Sequence, residues 1–229
     1  MHKHFLASVF LLSLCLGCGT GEYESRIGGH HGGGGGAAGP DLLGPAEDWS
    51  GTRVSVRVPH CMAILPPGAD PKRARNIPTP LPTMQQRVYE GFVTDRDGGK
   101  TPFYWHILVM DVPKAPGVSV ADQLKKAMAK DPANAPKFAD FQAVNSEGKE
   151  TKWQMAHSSD KGDFYYKDKN GVETLRPMDE AEEMYVHEDA GYFVFIAWRV
   201  PSNIEQNIGD VGLAELAKAV AGGVTVKPQ

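Results

Sequence analysis

Cysteine is scarce in this chain, with three among 229 residues, at positions 15, 18 and 61. That excludes a disulfide-dense scaffold, which needs several spaced pairs. A surplus of positive charge is missing too: the formal net charge is −4. Nucleic-acid binding therefore has no broad electrostatic footprint. The basic cluster Pro71-Lys72-Arg73-Ala74-Arg75 is short and reads as a solvated loop. No apolar run reaches the roughly 20 residues of a membrane-spanning helix. Signature motifs are absent as well. There is no G-x-S-x-G elbow, no P-loop, no zinc-finger or EF-hand spacing, and no dinucleotide fingerprint between a strand and a helix. What remains is ordinary for a soluble globular chain, 41% hydrophobic and 23% charged.

The N-terminus carries an address. Lys3 supplies a positive start, Phe5 to Leu16 an apolar stretch of 12 residues, and Gly17 a small residue before a cleavage point. Those are the parts of an export signal, residues 1–17. Leu16-Gly17-Cys18 resembles the lipobox of bacterial lipoproteins. The resemblance implies that Cys18 is lipidated and becomes the new N-terminus. The protein would then be exported and held by lipid in the cell envelope, on the periplasmic or outer side of a membrane. Secretion without lipid is the alternative that the same apolar stretch allows. A redox reading of Cys15 and Cys18 fits poorly, because such a motif should follow a strand and open a helix.

Residues 18–48 read as a flexible Gly/His-rich tether. They contain GGHHGGGGGAAGP and few large apolar side chains, too few to offset the entropy of ordering. A Gly-rich coil of that length reaches about 30 Å. His30 and His31 within it are a candidate Zn, Cu or Ni site, though two histidines alone have no third ligand and no supporting shell.

From Trp49 onward the pattern becomes periodic, and residues 49–229 read as a single α+β domain. RVSVRV (53–58) alternates, placing Val54, Val56 and Val58 on one face of a strand. A proline-rich loop over 67–83 follows. VYEGFVT and FYWHILVMDV form two strands joined at DRDGG, and the second is apolar on both faces, as in a central strand. SVADQLKKAMAK is an amphipathic helix with Ser119 as its cap. FADFQAV and TKWQMAHS are strands. DFYYKDKNGVETL contains the Asn170-Gly171 hairpin signal, and EMYVHEDAGYFVFIAWRV is a long final hairpin. Asp210 is placed to cap a closing helix over VGLAELAKAV, which ends at Gly222-Gly223.

This order predicts an antiparallel sheet of about six to seven strands flanked by helices. An early strand ending in a proline turn, a strand pair, a helix, a meander and a C-terminal helix resembles the PsbP/Mog1-type α/β/α sandwich. The resemblance covers most of 50–226. It implies a binding or assembly module of exported, membrane-associated proteins, and assigns no site residue.

Candidate chemistry is sparse. His157, Ser158 and Asp160 are close in sequence, but His157 and Ser158 fall on opposite faces of a strand. His60 and Cys61 also point apart, and Cys61 reads as a structural cysteine. His106 reads as a core histidine. Asp179, Glu180, Glu182 and Glu183 could attract Ca²⁺ but read first as a solvated acidic loop. The function expected is therefore that of a non-catalytic, membrane-tethered envelope lipoprotein whose domain binds another envelope protein. No catalytic residue, cofactor or nucleic-acid partner is expected. The alternative is an exported protein that binds a small ligand or a Ca, Zn or Cu ion.

Overall fold

The computed structural model describes residues 42–73, 79, 81–112, 119–129, 135–145, 148–189, 191–204 and 212–228. In chain order the elements are β1 (Leu43–Asp48), β2 (Val54–Pro59), β3 (Ala63–Ile64), β4 (Gln85–Thr94), β5 (Lys100–Asp111), α1 (Val120–Met128), β6 (Ala139–Val144), β7 (Glu150–Lys167), β8 (Glu173–Asp189), β9 (Tyr192–Pro201), α2 (Gly212–Gly222) and β10 (Thr225–Val226). They form a seven-stranded sheet, β3-β4-β5-β9-β8-β7-β6, and a three-stranded sheet, β1-β2-β10. All the pairings are antiparallel.

The large sheet buries both faces, because β5 and β9 are apolar at successive positions. On one face Trp105, Ile107, Tyr185, Ile196 and Trp198 meet Val54, Val56 and Val58 of the small sheet and Leu213, Leu216 and Val220 of α2. On the other, Leu108, Met184, Val186, Phe193 and Phe195 meet Val120, Ala121 and Leu124 of α1. The α+β class and the long antiparallel sheet match the expectation. The flanking differs: among the described residues each face carries one helix, and the small sheet shares the cover of the first face.

The start of α1 shows how local sequence and tertiary structure combine. The Ser119 hydroxyl accepts from the backbone N–H of Asp122 at 3.1 Å, as the sequence predicts. The remaining orphan donors go to Glu188 of β8, which accepts from Val120 N and Ala121 N at 3.1 and 2.9 Å. Its negative charge there also complements the helix dipole.

Three sequence expectations need correction. Residues 43–48, assigned to the tether, form β1. Leu42 and Leu43 are buried, and Arg57 pins the strand through the carbonyls of Gly44 and Leu43 at 2.8 and 2.9 Å. The glycine-dominated composition around them hid these two apolar anchors. Second, TKWQMAHS and DFYYK are one strand of 18 residues, so HSSD lies mid-strand. Third, the acidic stretch 178–184 is part of β8, not a loop, because its carboxylates find partners across the ladder. The hairpin at Asn170-Gly171 is present, but its turn closes from Asp168 to Val172, with Gly171 at φ 82°.

The export signal, Cys18, His30, His31 and Asp210 lie outside the described residues. Among the described residues no helix is long and apolar enough to cross a membrane.

Candidate functional site

The long β7–β8 hairpin extends beyond the end of β9, and Lys167 of β7 then pairs back with Lys100 of β5. This contact curls one corner of the sheet into a closed ring of four strands, β5-β9-β8-β7. The inward positions there are not aliphatic. They hold Tyr104, Phe164, Glu180 and Arg199, all buried.

Arg199 Nε donates to Glu180 Oε2 at 2.8 Å, with side-chain exposures of 8% and 3%. Such a buried pair is costly to desolvate, so its other donors need acceptors. Arg199 Nη1 donates to the carbonyl of Lys72 at 2.7 Å and Nη2 to that of Asp163 at 3.0 Å. The guanidinium lies 4.6 Å from the Phe164 ring centre and 5.7 Å from that of Tyr104. Gly162 is required beside it: a Cβ there would stand 1.8 Å from Glu180 Oε2 and 2.9 Å from Arg199 Nη2.

A strap over residues 70–73 closes the corner. The Tyr165 hydroxyl donates to Asp70 Oδ2 at 2.6 Å, and Lys72 pairs with Asp163 at 3.2 Å. Arg73 bonds Glu90 at 2.9 Å, bonds Glu173, and stacks over Tyr165 at 4.4 Å. These contacts polarise the titrations. The Tyr165 hydroxyl and the Lys72 backbone N–H hold the Asp70 carboxyl below its ordinary value. Burial pushes Glu173 up, but Lys167 and Arg73 outweigh it and leave it lowered. Burial also opposes the Arg73 charge, and Glu90 and Glu173 overcome that. Tyr104 is pushed well above the ordinary phenol value, chiefly by burial and then by Glu90.

Between this strap and strands β7, β8 and β9 lies an open cleft of about 370 Å³, with Lys72, Asp160, Lys161, Asp163, Glu180 and Arg199 among its walls.

The residues singled out from sequence behave differently from one another. Glu180 is inside this corner, opposed by Arg199. Asp179 sits opposite Lys161 in the ladder. Glu182 accepts from Ser158 at 3.4 Å. Glu183 bonds the Tyr185 hydroxyl. Alternation along β8 sends the four carboxylates to two faces, so they do not converge. Among the described residues no three His, Cys, Asp or Glu side chains could hold a metal ion together.

His157 meets Ser159, not Ser158: Ser159 Oγ lies 3.3 Å from His157 Nε2, because residues two apart share a face. Its Nδ1 is 3.8 Å from Glu183 Oε1, beyond hydrogen-bond reach. His106 is buried, and Cys61 packs against the main core. His60 is exposed.

Sequence reasoning missed Arg199, Gly162 and the strap. One signal was present: a single Arg in the otherwise apolar YFVFIAWRV, which demands a buried carboxylate if the strand is covered on both faces.

No protein-family model and no curated protein matches the chain. Two solved structures show a weak likeness. One, from Bacteroides thetaiotaomicron, has 11% identity and a TM-score of 0.38 over 77% of this chain, which spans 46% of that chain's length. The other is the solution structure of cyanobacterial PsbP (CyanoP) from Synechocystis sp. PCC 6803, with 12% identity and a TM-score of 0.40 over 85% of this chain and 98% of that one. The likeness to the PsbP-type domain is weak and concerns the fold.

Proposed function

We propose that this chain is a non-catalytic, membrane-tethered envelope lipoprotein whose folded domain binds another envelope protein. Cys18 carries the lipid in this reading, and the α/β/α sandwich of the PsbP/Mog1 type is its finer description of the domain. The observation that supports it is the arrangement of the curled corner. Asp70, Lys72 and Arg73 of the strap are each bonded to the strands beneath, as in a surface built to keep its shape. Among the described residues lining its cleft there is no serine, cysteine or histidine.

Two measurements test it. The mature protein should carry the mass of a chain starting at Cys18 plus acyl groups, and Cys18→Ser should release it from the membrane fraction. Site-specific photo-crosslinkers on the corner, at Lys161 or Arg176, should trap one discrete protein in intact cells. A diffuse ladder, or no product at either site, removes the protein-partner reading.

The open cleft favours a second reading, a small-ligand binding protein. Its size is within the range of about 300–1,000 Å³ of small-molecule sites.

A further inference from the structure

The cleft has an unusual charge inventory. Among the described residues it is walled by three cations, Lys72, Lys161 and Arg199, and three carboxylates, Asp160, Asp163 and Glu180. Two of each are already paired, Arg199 with Glu180 and Lys72 with Asp163. Lys161 and Asp160 differ. Asp160 Oδ1 accepts the backbone N–H of Lys161 at 2.7 Å. Among the described residues, the Lys161 ammonium has no ion pair.

Arg199 also has capacity left. A guanidinium has five N–H donors. Three are engaged, by Glu180, Lys72 and Asp163. Among the described residues two remain, on a side chain that is 8% exposed and lines the cleft. A buried N–H left without an acceptor costs free energy, so these two favour an acceptor arriving from the cleft.

The walls are fixed before any ligand arrives. Gly162 keeps the floor open, since any side chain there would collide with the Glu180–Arg199 pair. Tyr165, Asp163, Glu90 and Glu173 hold the strap. Preorganisation of this kind lowers the ordering cost of binding.

A dianion would face Asp160, Asp163 and Glu180. A dication would face Lys72, Lys161 and Arg199. A ligand with one charge of each sign meets neither penalty. We propose that the cleft binds a small zwitterion, a molecule with a carboxylate and an ammonium group, of the class of amino acids and short peptides. The carboxylate takes the free N–H groups of Arg199, and the ligand ammonium takes Asp160, which shares a face of β7 with Gly162. The proposal rests on the small-ligand reading above.

The test uses the ¹⁵N-labelled full chain and three probes: glycylglycine, succinate and 1,4-diaminobutane. Glycylglycine should give saturable amide shifts confined to residues 70–73, 160–163, 177–180 and 199. It should bind at least about tenfold more tightly than either other probe. Asp160→Asn, at an exposed position, should weaken it by about tenfold or less without moving the unfolding midpoint. Succinate or diaminobutane binding as tightly as glycylglycine overturns the zwitterion assignment and leaves the small-ligand reading standing. No saturable shift with any probe, up to roughly tens of millimolar, overturns both. Saturable shifts that survive Asp160→Asn unchanged place the ligand elsewhere and also overturn the proposal.

Discussion

Trp198 and Arg199 are adjacent on β9, as Tyr104 and Trp105 are on β5, yet the two sides of this short stretch are built by opposite means. Trp105 and Trp198 stand directly across the ladder and meet edge to face, with the small sheet and α2 over them. Their cohesion is burial of apolar area, which tolerates rearrangement as long as volume is kept. Tyr104 and Arg199 point the other way, into the curled corner, where Arg199 is held by directed bonds. Directed bonds fix geometry but add little net stability, because desolvation offsets most of the attraction. The apolar side therefore holds the fold together, and the polar side sets a shape.

The largest test of this contrast is Trp198→Ala, which should destabilise the domain by about 4 kcal/mol through lost burial and a cavity. Urea unfolding followed by far-UV circular dichroism measures it; a loss under 1.5 kcal/mol would move the centre of stability elsewhere. Next is the ion pair. Arg199→Met alone should cost about 3 kcal/mol by removing the buried cation beside Glu180, whereas Arg199→Met with Glu180→Leu should recover most of that. If the double variant is as unstable as the single, the pair itself is a main stabiliser and the contrast fails. Gly162→Ala should cost about 2 kcal/mol, since its Cβ displaces the pair.

The smallest effect is that of pH. Asp70 and Glu173 titrate below their ordinary values of 3.8 and 4.5 in the folded corner. A depressed carboxylate contributes stability that is present above its unfolded value and lost as pH falls through the folded one. Acidification below about pH 4 should thus loosen the strap before the apolar side opens. Amide exchange at residues 70–73 and 173–176 should rise ahead of exchange in β5 and β9, and simultaneous opening would count against separate behaviour.

Much of the fold was legible in the sequence. β2, the β4–β5 hairpin, α1 with its Ser119 cap, β9 and α2 all carry strong local periodicity, and local periodicity is what short-range sterics and burial write into a chain. The misreadings came where the deciding contact was distant. β1 needs Arg57 on the neighbouring strand. The carboxylates of 178–184 look solvated until β7 and β9 lie beside them.

The candidate site was far less legible, for the same reason. Residues 72, 162, 180 and 199 are spread along most of the domain, and no spacing rule links them. Where sequence set His157 and Ser158 on opposite faces of a strand, the pleat brings Ser159 to His157 instead.

The opening absences, the export-like N-terminus and the alternation of strands belong to the sequence alone, because each follows from residue type and local spacing. Which carboxylate meets Arg199, and that a strap from residues 70–73 closes over them, belongs to the tertiary structure. A buried charge takes its partner from whatever strand the sheet's register brings opposite it, and register is set by the packing of the whole sheet.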